Sequence, residues 1–288
     1  DLELLGDSLL VVGDASALKI HVHTDDPGAA LTLGTRVGVI EGIEIANMHE
    51  QTRDREARLT APGEGSLDGL PTLETGVVAV VPGDGNRRLF ESLRATRVIE
   101  GGQTMNPSTA EIHAAIEATP ATAVIVLPNN KNVVLSAEQA ATLASKPVFV
   151  VPTTTVQAGL AAIVAYDPEQ ALEANASRMT DAQAGLSTGE VTRASRDVSL
   201  DGVEVRKGDW LGLADGHAVV CDDDFDAVVD AVVARLLEHG GELLTVLTGD
   251  EAPDGDALVD RIATRHPGIE VEVHEGGQPH YPLLLSAE

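Results

Sequence analysis

The stretch Arg97-Val98-Ile99-Glu100-Gly101-Gly102-Gln103 has a second copy, Val271-Glu272-Val273-His274-Glu275-Gly276-Gly277-Gln278, and this pair decides how the chain is read. In both copies an apolar, strand-like run ends in Glu-Gly-Gly-Gln. Upstream of each lies another matching unit: Val78 to Val81 runs into Gly83-Asp84, and Leu243 to Leu247 runs into Gly249-Asp250. Residues with helical spacing lie between. The order strand, Gly-Asp turn, helix, strand, Glu-Gly-Gly-Gln therefore occurs twice. It predicts two related lobes with polar loops at matching ends of their sheets. Glycine pairs just past a strand allow a turn with positive φ, or the close approach of a ligand.

Around the first copy, from Gly76 to about Thr188, strands alternate with helices. Val77 to Val81, Val98-Ile99, Val124 to Leu127 and Val148 to Val151 are short β-branched runs without polar alternation. Such runs fit strands covered on both faces, as in a parallel sheet. Ser108-Thr109-Ala110-Glu111 and Ser136-Ala137-Glu138-Gln139 match the capping-box spacing of a helix start. Around the second copy the pattern changes. Val191 to Ser199, Val203 to Val205 and Ala218 to Cys221 read as strands, joined by the hairpin dipeptides Asp201-Gly202 and Asp215-Gly216. Phe225, Val228, Val229, Val232, Val233, Leu236 and Leu237 then share one helix face, and Gly240-Gly241 ends that helix. The unit Leu243 to Val273 reads β-α-β, and Pro282 to Ser286 is a last strand.

Before these lobes stands a smaller unit. Leu9 to Val12 is apolar, and Leu18 to Thr24 alternates with the period of a half-buried strand. Asp25-Asp26-Pro27 opens a helix, with Asp as N-cap and Pro in the first turn. Ile43 to Ala46 follows as a strand. The fold class is thus α/β: a small β-β-α-β domain over 1–58, a Pro- and Gly-rich linker over 59–74, and a two-lobed α/β domain over 75–288. The lobes, about 75–188 and 189–288, carry a parallel and a mixed sheet respectively.

The chain has 288 residues, of which 43% are hydrophobic but only 2% aromatic, so its core is aliphatic. Its net charge of -27 opposes binding to nucleic acid or to anionic membrane surfaces. One cysteine, Cys221, precludes an internal disulfide and fits a reducing, cytoplasmic setting; ending a strand, it reads as a buried small hydrophobe. No apolar run approaches the ~20 residues of a membrane span, so no membrane insertion is expected. The chain opens at Asp1 and reaches a strand at Ser8, which reads as part of something longer.

Three polar loops follow successive strands of the first lobe, where open parallel sheets bind ligands. They offer Gln103, Thr104, Asn106, Ser108, Thr109, Asn129, Asn130, Lys131, Asn132, Thr153 and Thr154: neutral donors and acceptors with a single cation. The set suits a phosphate, a carboxylate or the polar centre of a protein interface. It holds no nucleophile–base pair, so no catalytic residue is assigned. The competing reading is that Asn, Ser and Thr tie down their own loops. His21 and His23, two apart on a strand, project to one face, an arrangement that can present two of the about four ligands of a structural zinc or can be a half-exposed pair in a hydrogen-bond network. Gly83-Asp84-Gly85-Asn86 and Asp254-Gly255-Asp256 read as turns and helix starts, Asp222-Asp223-Asp224 as a helix cap, and no Lys-Ser/Thr P-loop is present.

Lys19 to Gly28 (KIHVHTDDPG), Val98 to Thr109 (VIEGGQTMNPST), Leu127 to Asn132 (LPNNKN) and Gly276-Gly277-Gln278-Pro279 together resemble the fatty acid kinase A-subunit family, also described as dihydroxyacetone-kinase-like proteins. The resemblance runs through the whole chain in order. It implies a middle domain that dimerises and carries zinc, and a C-terminal domain that engages a separate DegV-type fatty-acid-binding protein. It also implies an N-terminal domain, absent from these residues, that binds ATP and magnesium. The assembled enzyme would phosphorylate a carried fatty acid to an acyl phosphate, and this chain alone would be inactive. Zinc at His21 and His23 would be completed by a cysteine that the family places before Gly6. Where the family continues Asn47-Met48 with Arg, this chain has His49, and that position receives no role. Gln278 joins the partner- or ligand-binding candidates through its repeat. The alternative is a small-molecule domain for a phosphate or carbonyl metabolite, weakened because His113 falls inside a helix and not in a strand-end loop.

Overall fold

β-Branched residues build the centre of the larger unit. Strands β3 (Leu73–Val81), β4 (Arg97–Glu100), β5 (Ala121–Leu127) and β6 (Val148–Val150) form a parallel sheet in the order β4-β3-β5-β6. Both faces are covered, which is why the runs show no polar alternation. On one face Val78, Val80, Val124 and Val126 pack with Ile112, Ile116 and Val133 of helices α3 (Thr109–Ala118) and α4 (Lys131–Leu143). On the other, Val77, Ala79, Val81, Ile125 and Leu127 meet Phe90, Ile163 and Met179 of α2 (Asp84–Ser92), α5 (Val156–Val164) and α6 (Leu172–Ala182). Each large apolar side chain fully buried in this way contributes about 1.5–3 kcal/mol.

This computed structural model describes residues 6–13, 18–24, 26–38, 73–101 and 106–288. The expected strand at 43–46, the linker up to residue 72 and the candidates Gln103 and Thr104 lie outside them. By contact the chain divides into two units, 1–68 and 69–288. In the first, β1 (Gly6–Gly13) and β2 (Leu18–Thr24) pair antiparallel, and α1 (Pro27–Val37) starts where Asp26 Oδ1 accepts the Ala29 amide at 2.9 Å. His21 and His23 both fall within β2.

The capping box at Ser108 is complete: its amide donates to Glu111 Oε2 at 2.8 Å, and its Oγ accepts the Glu111 amide at 3.3 Å. The second expected box is not a helix start. Helix α4 already begins at Lys131, capped by Asn130, whose Oδ1 accepts the Asn132 amide at 2.8 Å. Asn129, at φ 53°, reverses the chain directly after β5, so Ser136 sits inside the helix.

The second lobe carries a six-stranded mixed sheet, order β11-β10-β7-β14-β12-β13. Its strands are β7 (Ser187–Arg193), β10 (Trp210–Ala214), β11 (His217–Asp222), β12 (Leu243–Thr248), β13 (Glu270–Glu275) and β14 (Leu283–Ala287). Only β12 and β13 pair parallel. Helices α7 (Phe225–Leu236) and α8 (Gly255–Arg265) cover one face. A hairpin of β8 (Val198–Leu200) and β9 (Val203–Val205) is inserted between β7 and β10. Asp201-Gly202 and Asp215-Gly216 both turn with positive φ at each residue, as expected. Three details depart from the sequence reading. The strand expected at Val191 to Ser199 is β7 ending at Arg193 plus a separate β8. Strand β10 is an addition to that reading; its Gly212 lets α7 approach, since a Cβ there would lie 2.6 Å from Val232 Cγ2. Cys221 is half-exposed, because β11 is the edge of the sheet.

Candidate functional site

The carboxyl ends of β3, β4 and β5 and the loop after β6 open toward the same side, and the second lobe covers them. The two copies of the repeat meet there. Both are β-α-β units with parallel strands: β3-α2-β4 and β12-α8-β13. The Gly276 carbonyl of the second copy accepts the Asn86 amide at 2.8 Å, at the first turn of α2. Asn86 Nδ2 donates to Gln278 Oε1 at 3.2 Å, and Gln278 Nε2 donates to the carbonyls of Leu247 (2.9 Å) and Tyr281 (3.1 Å). A Cβ on Gly83 or Gly85 would overlap the backbone of Glu275 to Gly277. Gly83 and Gly85 thus admit the backbone of the other lobe. Gln278, 1% exposed, is a hydrogen-bonded plug between the lobes.

The sequence candidates divide by exposure. Asn129, Asn130 and Thr153 are buried in the crevice with Gln278. Asn106, Ser108, Lys131 and Asn132 are exposed at its rim, with Thr109 half-buried. Thr153 Oγ1 accepts the Asn129 amide at 3.1 Å and donates to Asn129 Oδ1 at 2.7 Å. Asn130 and Thr155 cap α4 and α5, so the N-termini of both helices face the crevice. A pocket of about 60 Å³ remains between the lobes, lined by Asn129, Asn130, Thr154, Thr155, Glu190 and Tyr281 among others.

Glu190 and Tyr281 are site residues that the sequence reading misses. Burial pushes the Glu190 carboxyl above the ordinary carboxylate range, and Lys131 opposes that shift only in part. The Tyr281 phenol is pushed up to about 12, first by burial and then by Glu190. An acidic residue in the middle of a central strand is the signal that could have found Glu190: β7 lies between β10 and β14, and position 190 faces the first lobe's loops. Among the described residues no group of three or more His, Cys, Asp or Glu side chains is placed to hold a metal ion. No helix among them is long and apolar enough to cross a membrane.

A family model for the C-terminal domain of fatty acid kinase A-subunit-like (FakA-like) proteins matches residues 76–288, and the corresponding middle-domain model matches residues 1–55. An uncharacterized protein of Staphylococcus haemolyticus is 41% identical over 292 residues, covering 100% of this chain and 53% of the relative. A Staphylococcus epidermidis protein, also uncharacterized, is 38% identical with the same coverage. The chain therefore spans about half the length of the curated relatives it matches. Among solved structures, a DegV family protein from Corynebacterium glutamicum aligns with a TM-score of 0.55 at 13% identity, over 74% of this chain and 96% of that one. The fatty acid kinase B3 protein of Streptococcus pneumoniae, loaded with linoleic acid, aligns at 0.54 and 11% identity, over 75% and 99%. At these identities the likeness is one of fold.

Proposed function

Because the chain belongs to the fatty acid kinase A-subunit-like family, we propose that it is the dimerisation and carrier-docking portion of a two-component fatty acid kinase. The observation that carries this reading is the family match over residues 76–288. In it, ATP and magnesium are held by a domain outside these residues, and the acyl phosphate is made on a fatty acid carried by a DegV-type protein. The middle domain pairs the chain with a second copy. His21 and His23 in β2 supply two of the about four ligands that a structural zinc takes. Zinc content of the whole protein, measured after purification, falls with His21→Ala plus His23→Ala; unchanged content removes that assignment.

The carrier meets the rim of the strand-end crevice. Asn106, Ser108, Lys131 and Asn132 stand exposed there, offering hydrogen bonds and one cation. The buried Asn130 instead caps α4 and supports the rim from beneath. Charge reversal by Lys131→Glu weakens carrier binding at least tenfold by titration calorimetry, and Asn132→Ala weakens it by a smaller factor. Carrier affinity unaltered in both variants sinks the assignment of this face.

A further inference from the structure

A second and larger cavity, of about 540 Å³, lies between the lobes toward the other end of α5. The crevice described above touches α5 at Thr155, whereas this cavity runs along Leu160 to Val164. Its size falls within the ~300–1,000 Å³ of small-molecule sites. One wall is aliphatic: Leu89 of α2 and Leu93 just after it, Leu160, Ala161 and Val164 of α5, and Ala182 ending α6. Val164 is 66% exposed, so apolar surface reaches the mouth. The one polar side chain on this side is Gln157, which spends both amide hydrogens on the carbonyls of Gly189 (3.0 Å) and Leu285 (3.2 Å) and has no donor left for a ligand.

The opposite wall is the second sheet, and it is polar. Leu244, Val246, Val271, Val273, Leu285 and Ala287 turn toward α7 and α8, which leaves Thr245, Glu272 and Ser286 on the side of the first lobe. Register sets these three side by side, since Thr245 pairs with Ser286 on one flank and with Glu272 on the other. Adjacent strands lie ~4.8 Å apart, so one head group reaches two neighbours at once. Thr245 and Ser286 are only 8% and 4% exposed, and neither hydroxyl has a hydrogen-bond partner among the described residues. Neither is sealed in protein, so both open into the cavity. The exposed Glu272 and Glu288 border its mouth. His274 Nε2 lies 3.6 Å from Glu272 Oε2 and is a cation only when protonated. No Lys or Arg among the described residues lines the cavity.

We propose that this cavity binds a linear aliphatic ammonium compound, with its alkyl chain along the α2–α5 wall and its ammonium donating to the Thr245 and Ser286 hydroxyls and to Glu272. The chemistry of the polar wall selects the head group. Hydroxyls both accept and donate, whereas carboxylates only accept, so the wall accepts more hydrogen bonds than it donates. An ammonium brings three donors and no acceptor. An alcohol brings one donor, and a carboxylate would meet Glu272 and Glu288 with like charge. The aliphatic wall selects the body: it offers no ring for stacking, and each buried methylene should tighten binding about fourfold. A ligand that displaces water from the two hydroxyls has to replace the hydrogen bonds it removes, which an alkyl group alone does not do. The inference goes beyond carrier docking, which concerns the exposed rim at the strand ends, and either can fail alone.

The test is titration calorimetry of the whole chain with octylammonium, octanol and octanoate, at constant ionic strength and pH ~8, where histidine is ordinarily neutral. Octylammonium is expected to bind at one site per chain, with octanol and octanoate at least tenfold weaker. Thr245→Val combined with Ser286→Ala removes both hydroxyls; neither bonds within the protein, so the fold loses no hydrogen bond. That variant is expected to bind octylammonium at least tenfold more weakly. Ala161→Phe fills the aliphatic side and is expected to abolish binding. Should Ala161→Phe fail to fold, the hydroxyl variant decides alone. A net charge of -27 also draws cations to the surface at large, and that reads as many weak sites per chain. Many weak sites only, octanoate bound as tightly as octylammonium, or an affinity that the hydroxyl variant leaves unchanged overturns the proposal.

Discussion

Two residues at the lobe seam carry opposite kinds of sensitivity. Gly85 has no room for a side chain: a Cβ would overlap the Glu275 carbonyl, and backbone cannot move aside as a flexible side chain can. Gly85→Ala is therefore expected to destabilise the larger unit by about 3 kcal/mol, the upper range for overpacking. Gly255→Ala, where the nearest atom is Val273 Cγ1 at 3.3 Å, should be close to neutral. Chemical denaturation of the pair checks both. Glu190 is sensitive to pH. Its folded pKa is raised by burial above that of the unfolded chain. Below the ordinary carboxylate range both states are protonated and Glu190 costs nothing. As pH rises past the unfolded value, the unfolded chain ionises while the folded one holds its proton, and stability is lost until the raised folded value is passed. Glu190→Gln should then raise Tm at neutral pH, with the gain vanishing in acid. A gain that persists undiminished at pH 3 would assign it to packing.

At the scale of elements, caps explain where helices start. Ser108→Ala deletes one half of a reciprocal pair and is expected to cost about 1 kcal/mol. Ser136→Ala, inside α4, should not destabilise, which distinguishes a true cap from a matching string; thermal melts of the two variants make the comparison. The contrast also shows what was legible in the sequence. Period and turn chemistry revealed β2, α3, α7 and the Asp-Gly hairpins, because each depends on neighbours in sequence. Asn130 as the cap of α4 was hidden. Its role depends on Asn129 taking a left-handed conformation at the end of β5, which no local pattern announces. Strand β10 was hidden for a similar reason: Gly212 weakens the strand pattern locally, yet it is the position that lets α7 pack down. The candidate site was legible as a set of strand-end loops. That Asn129, Thr153 and Gln278 are buried, while Lys131 and Asn132 remain exposed, follows from packing between lobes whose contacting residues lie far apart in sequence. Glu190 belongs to that same long-range information.

At the scale of the whole molecule, the two lobes of residues 69–288 share one core. Leu247 of β12 and Leu284 of β14 pack in the cluster that holds Val77, Phe90 and Leu127 of the first lobe. Gln157 from α5 bonds two carbonyls of the second sheet, and Asn86 and Gln278 close the other side. Removing either lobe would expose this shared apolar surface and strand these polar groups, so the lobes should unfold together. A single tryptophan makes this measurable: Trp210 lies in the second lobe, against Phe225 at 4.9 Å and under Arg193 at 3.7 Å. Phe90 is fully buried in the shared cluster, whereas Trp210 packs in the separate cluster beneath α7. Phe90→Ala should cost about 3–5 kcal/mol, and Trp210 fluorescence should report that loss in full as a lower denaturant midpoint. If the tryptophan transition stays where it was while circular dichroism shows an earlier phase, the lobes are independent domains, and the seam is a docking contact in place of a core.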